Sequence, residues 1–206
     1  MKAVIATRNP DKLKEIIGIL SEVLSDTPIE LVGEDELGPW DPPEEAGSTV
    51  EENALIKATR VSQQFGIPAI ADDTALEVDA LGGEPGVYSA RYAGVGCTYK
   101  DNRTKVLEEL KRRGKSCDRR ARFRTVAVAV GFPGGTVISE GVVEGWISEC
   151  ERGSGGFGYD PIFVPEGFDK TFAEMSQDEK NNISHRGKAF RRLATELRLR
   201  LDIRDF

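Results

Sequence analysis

One histidine, His185, serves all 206 residues, so a metal centre built from several imidazoles is excluded. Cysteine is nearly as scarce. Cys97, Cys117 and Cys150 are odd in number and lack metal-type spacing, which points to reduced thiols and a cytoplasmic location. No apolar run approaches the roughly 18 residues of a spanning helix, so no membrane partner is expected. Lys2 is followed by only a short apolar stretch before Arg8, and no secretory leader is expected. Positive charge is also in deficit: 28 Lys+Arg against 35 Asp+Glu leave a net charge of −7. Sequence-blind grip on DNA or RNA needs a basic face, so no nucleic-acid partner is expected, although a small basic pocket for an anion remains compatible. Neither a Walker A loop nor a GxGxxG loop is present, and no internal repeat or low-complexity run appears.

What the chain does have is an acidic centre. Residues 71–94 begin Ala-Asp-Asp-Thr-Ala-Leu-Glu-Val-Asp and continue through two glycines to a Pro-Gly turn. The apolar run Ile67–Ala71 reads as the end of a buried strand that delivers Asp72 and Asp73. Adjacent carboxylates repel and resist burial unless a cation offsets them. Oxygen-only ligands suit Mg²⁺, which takes one or two carboxylates plus substrate phosphates.

The rest of the chain surrounds that centre with cations and turns. Lys2–Ala6 reads as a buried strand, and Thr7-Arg8-Asn9-Pro10-Asp11-Lys12 opens a helix with Asn9 as N-cap and Pro10 at its first position. Leu13, Ile16, Ile17, Leu20 and Leu24 fall on one face of that helix. A strand, a polar turn and a helix start form a ready anion site, where free N–H groups and the helix dipole favour negative charge; Arg8 and Lys12 add to it. Residues 38–47 form an acidic, proline-rich loop containing Glu44 and Glu45. Thr49-x-x-Glu52 predicts a capping box, and Val50, Ala54, Ala58, Val61 and Phe65 an amphipathic helix that carries Asn53 and Lys57 at its polar edge.

Further on, Asn102–Arg113 reads as a helix, Ala121–Phe132 and Thr136–Ile147 as a hairpin turned by Pro133-Gly134-Gly135. Residues 153–163 interleave glycines with Phe157 and Tyr159, either of which would stack on a base, while Asp160 would hydrogen-bond to one. Residues 179–188 precede the last helix, with Ser184 as its cap and Phe190, Leu193, Ala194, Leu197 and Leu201 as its apolar face. Lys180, His185 and Arg186 place three donors beside that helix start, a set suited to oxo groups or phosphates. The length suggests one domain, in two lobes. Alternating strands and helices followed by a hairpin predict an α/β fold on a mixed central sheet flanked by helices.

Five blocks, Ala6–Lys12, Glu52-Asn53-Ala54, residues 71–94, Gly155–Pro161 and Ser184–Gly187, stand in an order that resembles the inosine triphosphate pyrophosphatase family, on the side of its bacterial dITP/XTP pyrophosphatases. They span nearly the whole chain. The resemblance implies a homodimer of elongated α/β subunits, two lobes with a cleft between, dependence on Mg²⁺, and cleavage of ITP, dITP and XTP to monophosphate and pyrophosphate. It implies Asp73 as proton acceptor and Asp72, Asp73 and Glu45 around the metal. It implies substrate contacts at Thr7, Arg8, Asn9, Pro10, Asp11, Lys12 and Thr74, and at Phe157, Gly158, Tyr159, Asp160, Lys180, His185 and Arg186; Asn53 and Lys57 join them from their helix. Three positions depart from the pattern. Arg8 stands where many members have glycine, and Thr74-Ala75 replaces a common Ser-Gly, where alanine takes a positive φ less easily than glycine. A pyrophosphatase for other modified nucleotides and a non-catalytic nucleotide-binding dimer are the competing readings; Ser184-His185-Arg186 disfavours the first, Asp72, Asp73 and Lys12 the second.

Overall fold

The first strand, β1 (Lys2–Ile5), is apolar from Ala3 to Ile5 because it has a neighbour on each side. It pairs in parallel with β2 (Glu30–Gly33) and with β3 (Ala69–Val78), in the register Val4 to Val32 and Val4 to Ala69. Parallel neighbours need long returns. These are supplied by α1 (Pro10–Leu24) between β1 and β2, and by α2 (Val50–Phe65) between β2 and β3. The computed structural model describes residues 1–38, 46–114 and 116–202, with Asp202 described by its backbone alone.

Both early helices start as the sequence predicts. The Asn9 side chain accepts from the amides of Asp11 and Lys12, and Thr49 accepts from Glu52. The carboxylate of Glu52 takes the Ser48 amide and hydroxyl, so the return half of the expected box lands one residue early. Gly66 ends α2 in the left-handed conformation, where a side chain would be strained.

The remaining elements are β4 (Pro85–Gly86), α3 (Tyr99–Arg112), β5 (Arg120–Val130), β6 (Val137–Ile147), β7 (Phe163–Pro165), α4 (Gln177–Ile183) and α5 (His185–Asp202). The strand order is β2-β1-β3-β5-β6-β7, with β4 added antiparallel on β3 and β7 antiparallel on β6, so the sheet is mixed.

Two compact units share these strands. The first holds Met1–Asp73, Thr125–Gly141 and the chain from Arg186 onward. Its core joins Ile5 and Ile70 to Ile16, Ile19 and Leu20 of α1 and to Phe190, Leu193 and Leu197 of α5. The second holds Thr74–Arg124 and Val142–His185. Its core gathers Leu76, Val106, Leu110, Phe123, Ile147, Phe163 and Phe172. Each fully buried Leu, Ile or Phe contributes about 1.5–3 kcal/mol relative to exposure, so each unit has an apolar centre of its own.

Three expectations change. The strand does not end before the aspartates: β3 runs through Asp72 and Asp73 to Val78. Residues 177–183 form a helix of their own, opened by a Ser176–Glu179 capping box, and Ser184 is extended, which lets α5 begin at His185. Finally, Ala75 is buried inside β3, and no described non-glycine residue has a positive φ, so replacing glycine there imposes no strain. Glu44 and Glu45 lie outside the described residues.

Candidate active site

The two aspartates of β3 have separate partners. Asp72 is 1% exposed. Lys12 Nζ lies 3.2 and 3.4 Å from its two oxygens, and Arg186 Nη2 lies 3.5 Å away. The other end of the Arg186 guanidinium donates to Glu15 at 2.5 Å, with both groups buried. Asp73 is 13% exposed. It accepts from Asn53 Nδ2 at 3.3 Å and from Lys57 Nζ at 3.4 Å. The Asn53 amide is oriented by its other end, where Oδ1 accepts the Gly47 amide at 2.9 Å.

Three carboxylates, Glu15, Asp72 and Asp73, thus meet three cations, Lys12, Lys57 and Arg186, within the first unit. The array is electrostatically one. Burial pushes the Asp72 carboxyl up, but Lys12, Arg186 and Lys57 overcome this and hold it well below the usual carboxylate range. Burial pulls Lys12 down; Asp72 opposes this, and Lys57 and Arg186 add to it.

The turn from Thr7 to Lys12 differs from expectation in one respect. Pro10 has no N–H, Asp11 and Lys12 donate to Asn9, and Leu13 donates to the Asn9 carbonyl, so the first-turn amides are already used. What this helix start offers an anion is its dipole and the Lys12 side chain. Thr7 accepts the Asn9 amide. Arg8 is half exposed and lies 3.9 Å from the buried Glu34 carboxylate, and Asp11 is exposed. Thr74 is half-buried directly after Asp73.

A second assembly lies in the other unit. Asp160 accepts from Lys180 Nζ at 2.6 Å and from the Phe157 amide at 2.8 Å, and the Asp160–Lys180 pair is buried. A Cβ on Gly156, whose φ is +64°, would lie 2.1 Å from the Asp160 carboxylate, so only glycine fits there. Lys180 Nζ sits 4.8 Å from the centroid of the half-buried Phe157 ring. His185 stacks on Phe123 at 4.3 Å and 16°. Tyr159 is buried, donates to the Ser89 carbonyl at 2.8 Å, and is held by burial well above the usual phenol range. Gly158 follows Phe157 with φ +60°.

The trio Lys180, His185 and Arg186, read together from the sequence, therefore divides. Lys180 goes to Asp160, His185 to the Phe123 ring, and Arg186 to Asp72 and Glu15. The profile of the Ham1 family matches residues 3–196. The chain belongs to the Ham1 family. Every side chain of these two assemblies falls inside the Ham1 match.

Ham1 relatives are similar along nearly their whole length. The dITP/XTP pyrophosphatase of Elusimicrobium minutum is 46% identical over 199 residues, covering 96% of this chain and 100% of that one. The dITP/XTP pyrophosphatase of Bacillus subtilis is 48% identical over 194 residues, covering 94% and 95%. Among solved structures, a HAM1 protein from Coxiella burnetii matches with a TM-score of 0.85 and 42% identity, covering 96% and 98%. The motif-based assignment to this kind of nucleotide pyrophosphatase is borne out.

Sequence reasoning passed over Glu15 and Arg103. Glu15 is an acidic residue on the buried stripe of α1, one turn after Lys12 and one before Ile19, and that misplaced charge is the signal. Arg103 carries no such mark, because its position on α3 reads as solvated surface.

Proposed function

We propose that this Ham1 protein hydrolyses the non-standard purine triphosphates XTP, dITP and ITP to the monophosphate and pyrophosphate, acting as a cytoplasmic homodimer. The observation that carries the reading is the loose, balanced array around Asp72 and Asp73. The Lys12–Asp72, Arg186–Asp72, Asn53–Asp73 and Lys57–Asp73 contacts span 3.2–3.5 Å, beyond the ordinary 2.7–2.9 Å of a charge-assisted hydrogen bond. Lys12 and Lys57 bring to it the positive charge that a polyphosphate would meet. The names of the relatives supply the substrate class.

The donor set fits Mg²⁺. Asp72 is ionised at neutral pH, and it and Asp73 offer hard oxygens. Among the described residues no group of three His, Cys, Asp or Glu side chains gathers to hold a metal. A site with few protein ligands suits an ion that shares phosphate and water oxygens. Asp72 and Asp73 would hold it, joined by Glu45 from outside the described residues. When bound, it supplies charge neutralisation on the phosphates and a more acidic water.

The chain's own residues do the rest. Water oxygen bonds to the α-phosphorus, the bond from that phosphorus to the α,β-bridging oxygen breaks, and pyrophosphate leaves. Asp73 takes the water's proton, with Asn53 fixing its carboxylate. Lys12 and Lys57 transfer their charge to the tail phosphates, since positioning and electrostatics dominate such chemistry. Arg186, fixed by Glu15, maintains the ionised state of Asp72. Phe157 offers a stacking face for the base. Lys180 and His185 provide donors for a 6-oxo group; the 6-amino group of ATP would leave a donor unmatched, at about 1–3 kcal/mol each.

The test is pyrophosphate release from ITP, XTP, dITP, ATP, GTP and dUTP, with and without Mg²⁺. Preference for the first three, and silence after chelation, is expected. A preference for dUTP, or no release from any of them, overturns the reading. Light scattering behind a sizing column tests the dimer separately.

A further inference from the structure

Tyr99 and Arg103 sit four residues apart on α3, and therefore on one face of it. Both reach the glycine-rich segment that carries Phe157. The Tyr99 and Phe157 rings lie 6.2 Å apart, tilted by 39°. Arg103 Nη1 donates to the Gly158 carbonyl at 2.9 Å, and Nη2 to Glu151 at 3.0 Å. The Arg103 side chain is only 14% exposed, and its Nε is buried with no hydrogen-bond partner among the described residues. Burying a guanidinium in this way is costly, and a solvated arginine at the same position would avoid the cost.

The segment needs such a brace. Phe157 is flanked by Gly156 and Gly158, both at positive φ, and glycine is the residue with most backbone freedom to lose. Asp160 holds the Phe157 amide on one side, and Lys180 stands under the ring. Arg103 fixes the carbonyl on the far side of Gly158. With these in place the plane of the ring has few ways to turn.

We propose that Arg103 is a positioning residue, which sets the attitude of Phe157 and so the discrimination among purine bases. This deepens the proposed function and rests on Phe157 receiving the base. Its test compares wild type with Arg103→Ala and Arg103→Lys by two measurements. Hydrogen exchange across residues 153–160 should quicken about 10-fold in Arg103→Ala, the size of a lost hydrogen-bonded brace. KM for ITP should rise about 10-fold with kcat within about 3-fold, and the preference for ITP over ATP should shrink. Arg103→Lys should recover part of both effects, because an ammonium reaches one acceptor but cannot fork to two. Should Arg103→Ala fail to fold, Arg103→Lys carries the same two measurements, with an intermediate effect expected. Unchanged exchange, or a fall in kcat at constant KM, overturns the proposal. A wild type inert toward ITP would overturn the proposed function instead, while the exchange data still decide whether Arg103 sets the loop.

Discussion

Asp72 and Asp160 are both buried carboxylates answered by lysine, yet they are held in opposite ways. Asp160 meets Lys180 at 2.6 Å and a backbone amide at 2.8 Å. Asp72 meets Lys12 at 3.2 Å and Arg186 at 3.5 Å, and its neighbour Asp73 meets Asn53 at 3.3 Å and Lys57 at 3.4 Å. The short pair is the closed one: it joins its members tightly, and Asp160 also holds the Phe157 amide of the loop. The long contacts are the open ones: Lys12–Asp72, Arg186–Asp72, Asn53–Asp73 and Lys57–Asp73 lie at 3.2–3.5 Å.

The largest expected effect tests the closed pair. Lys180→Met strands Asp160 in the interior, and the loss of one member of a buried pair costs about 3–5 kcal/mol. Urea unfolding should show a lower midpoint; a loss under about 1 kcal/mol would show the pair is not what holds the loop. Asp73→Asn examines the open side. It should lower kcat for ITP by about 10²-fold or more, the usual reach of a general base, while the unfolding midpoint moves little. Near-normal turnover across a Mg²⁺ titration would remove Asp73 from the proton's path. Lys57→Met, at a half-buried 3.4 Å contact, should raise KM about 10-fold with little destabilisation. If it instead unfolded the protein, the open contacts would be as structural as the closed one.

The smallest effect concerns acid. Asp101 completes the capping box of α3, and the Thr98 amide and hydroxyl hold its carboxyl below the usual range. Its unfolded counterpart titrates near about 3.9. The stability this box contributes is therefore present above that value and disappears as pH falls through the lower, folded one. Wild type and Asp101→Ala should differ slightly in thermal midpoint at pH 7 and converge in strong acid. Midpoints that stay apart there would assign the difference to something other than this carboxylate.

Local signals carried the elements well. Asn9-Pro10 marked the start of α1, and Pro133-Gly134-Gly135 the turn between β5 and β6. The site was less legible, because its chemistry lies in pairings across 60, 114 and 171 residues. A reader of Asp72-Asp73 sees repulsion and ends the strand. The strand continues because Lys12 and Arg186 answer one carboxylate and Lys57 and Asn53 the other. Arg186 looked like a companion of His185, yet the helix that begins at His185 sends adjacent side chains in different directions. Arg103 was invisible because nothing in a polar helix distinguishes an arginine that points to water from one that does not.

Asn53 works as a two-sided latch. One side of its carboxamide is keyed to the Gly47 amide, and that fixes which atom the other side shows to Asp73. Withdraw Gly47 and the group is free to turn over, presenting oxygen to oxygen. Asparagine tells the two sides apart, whereas aspartate, its nearest match in shape, would put like charge against like. Asp73 is thereby tied, through one side chain, to the backbone amide of Gly47.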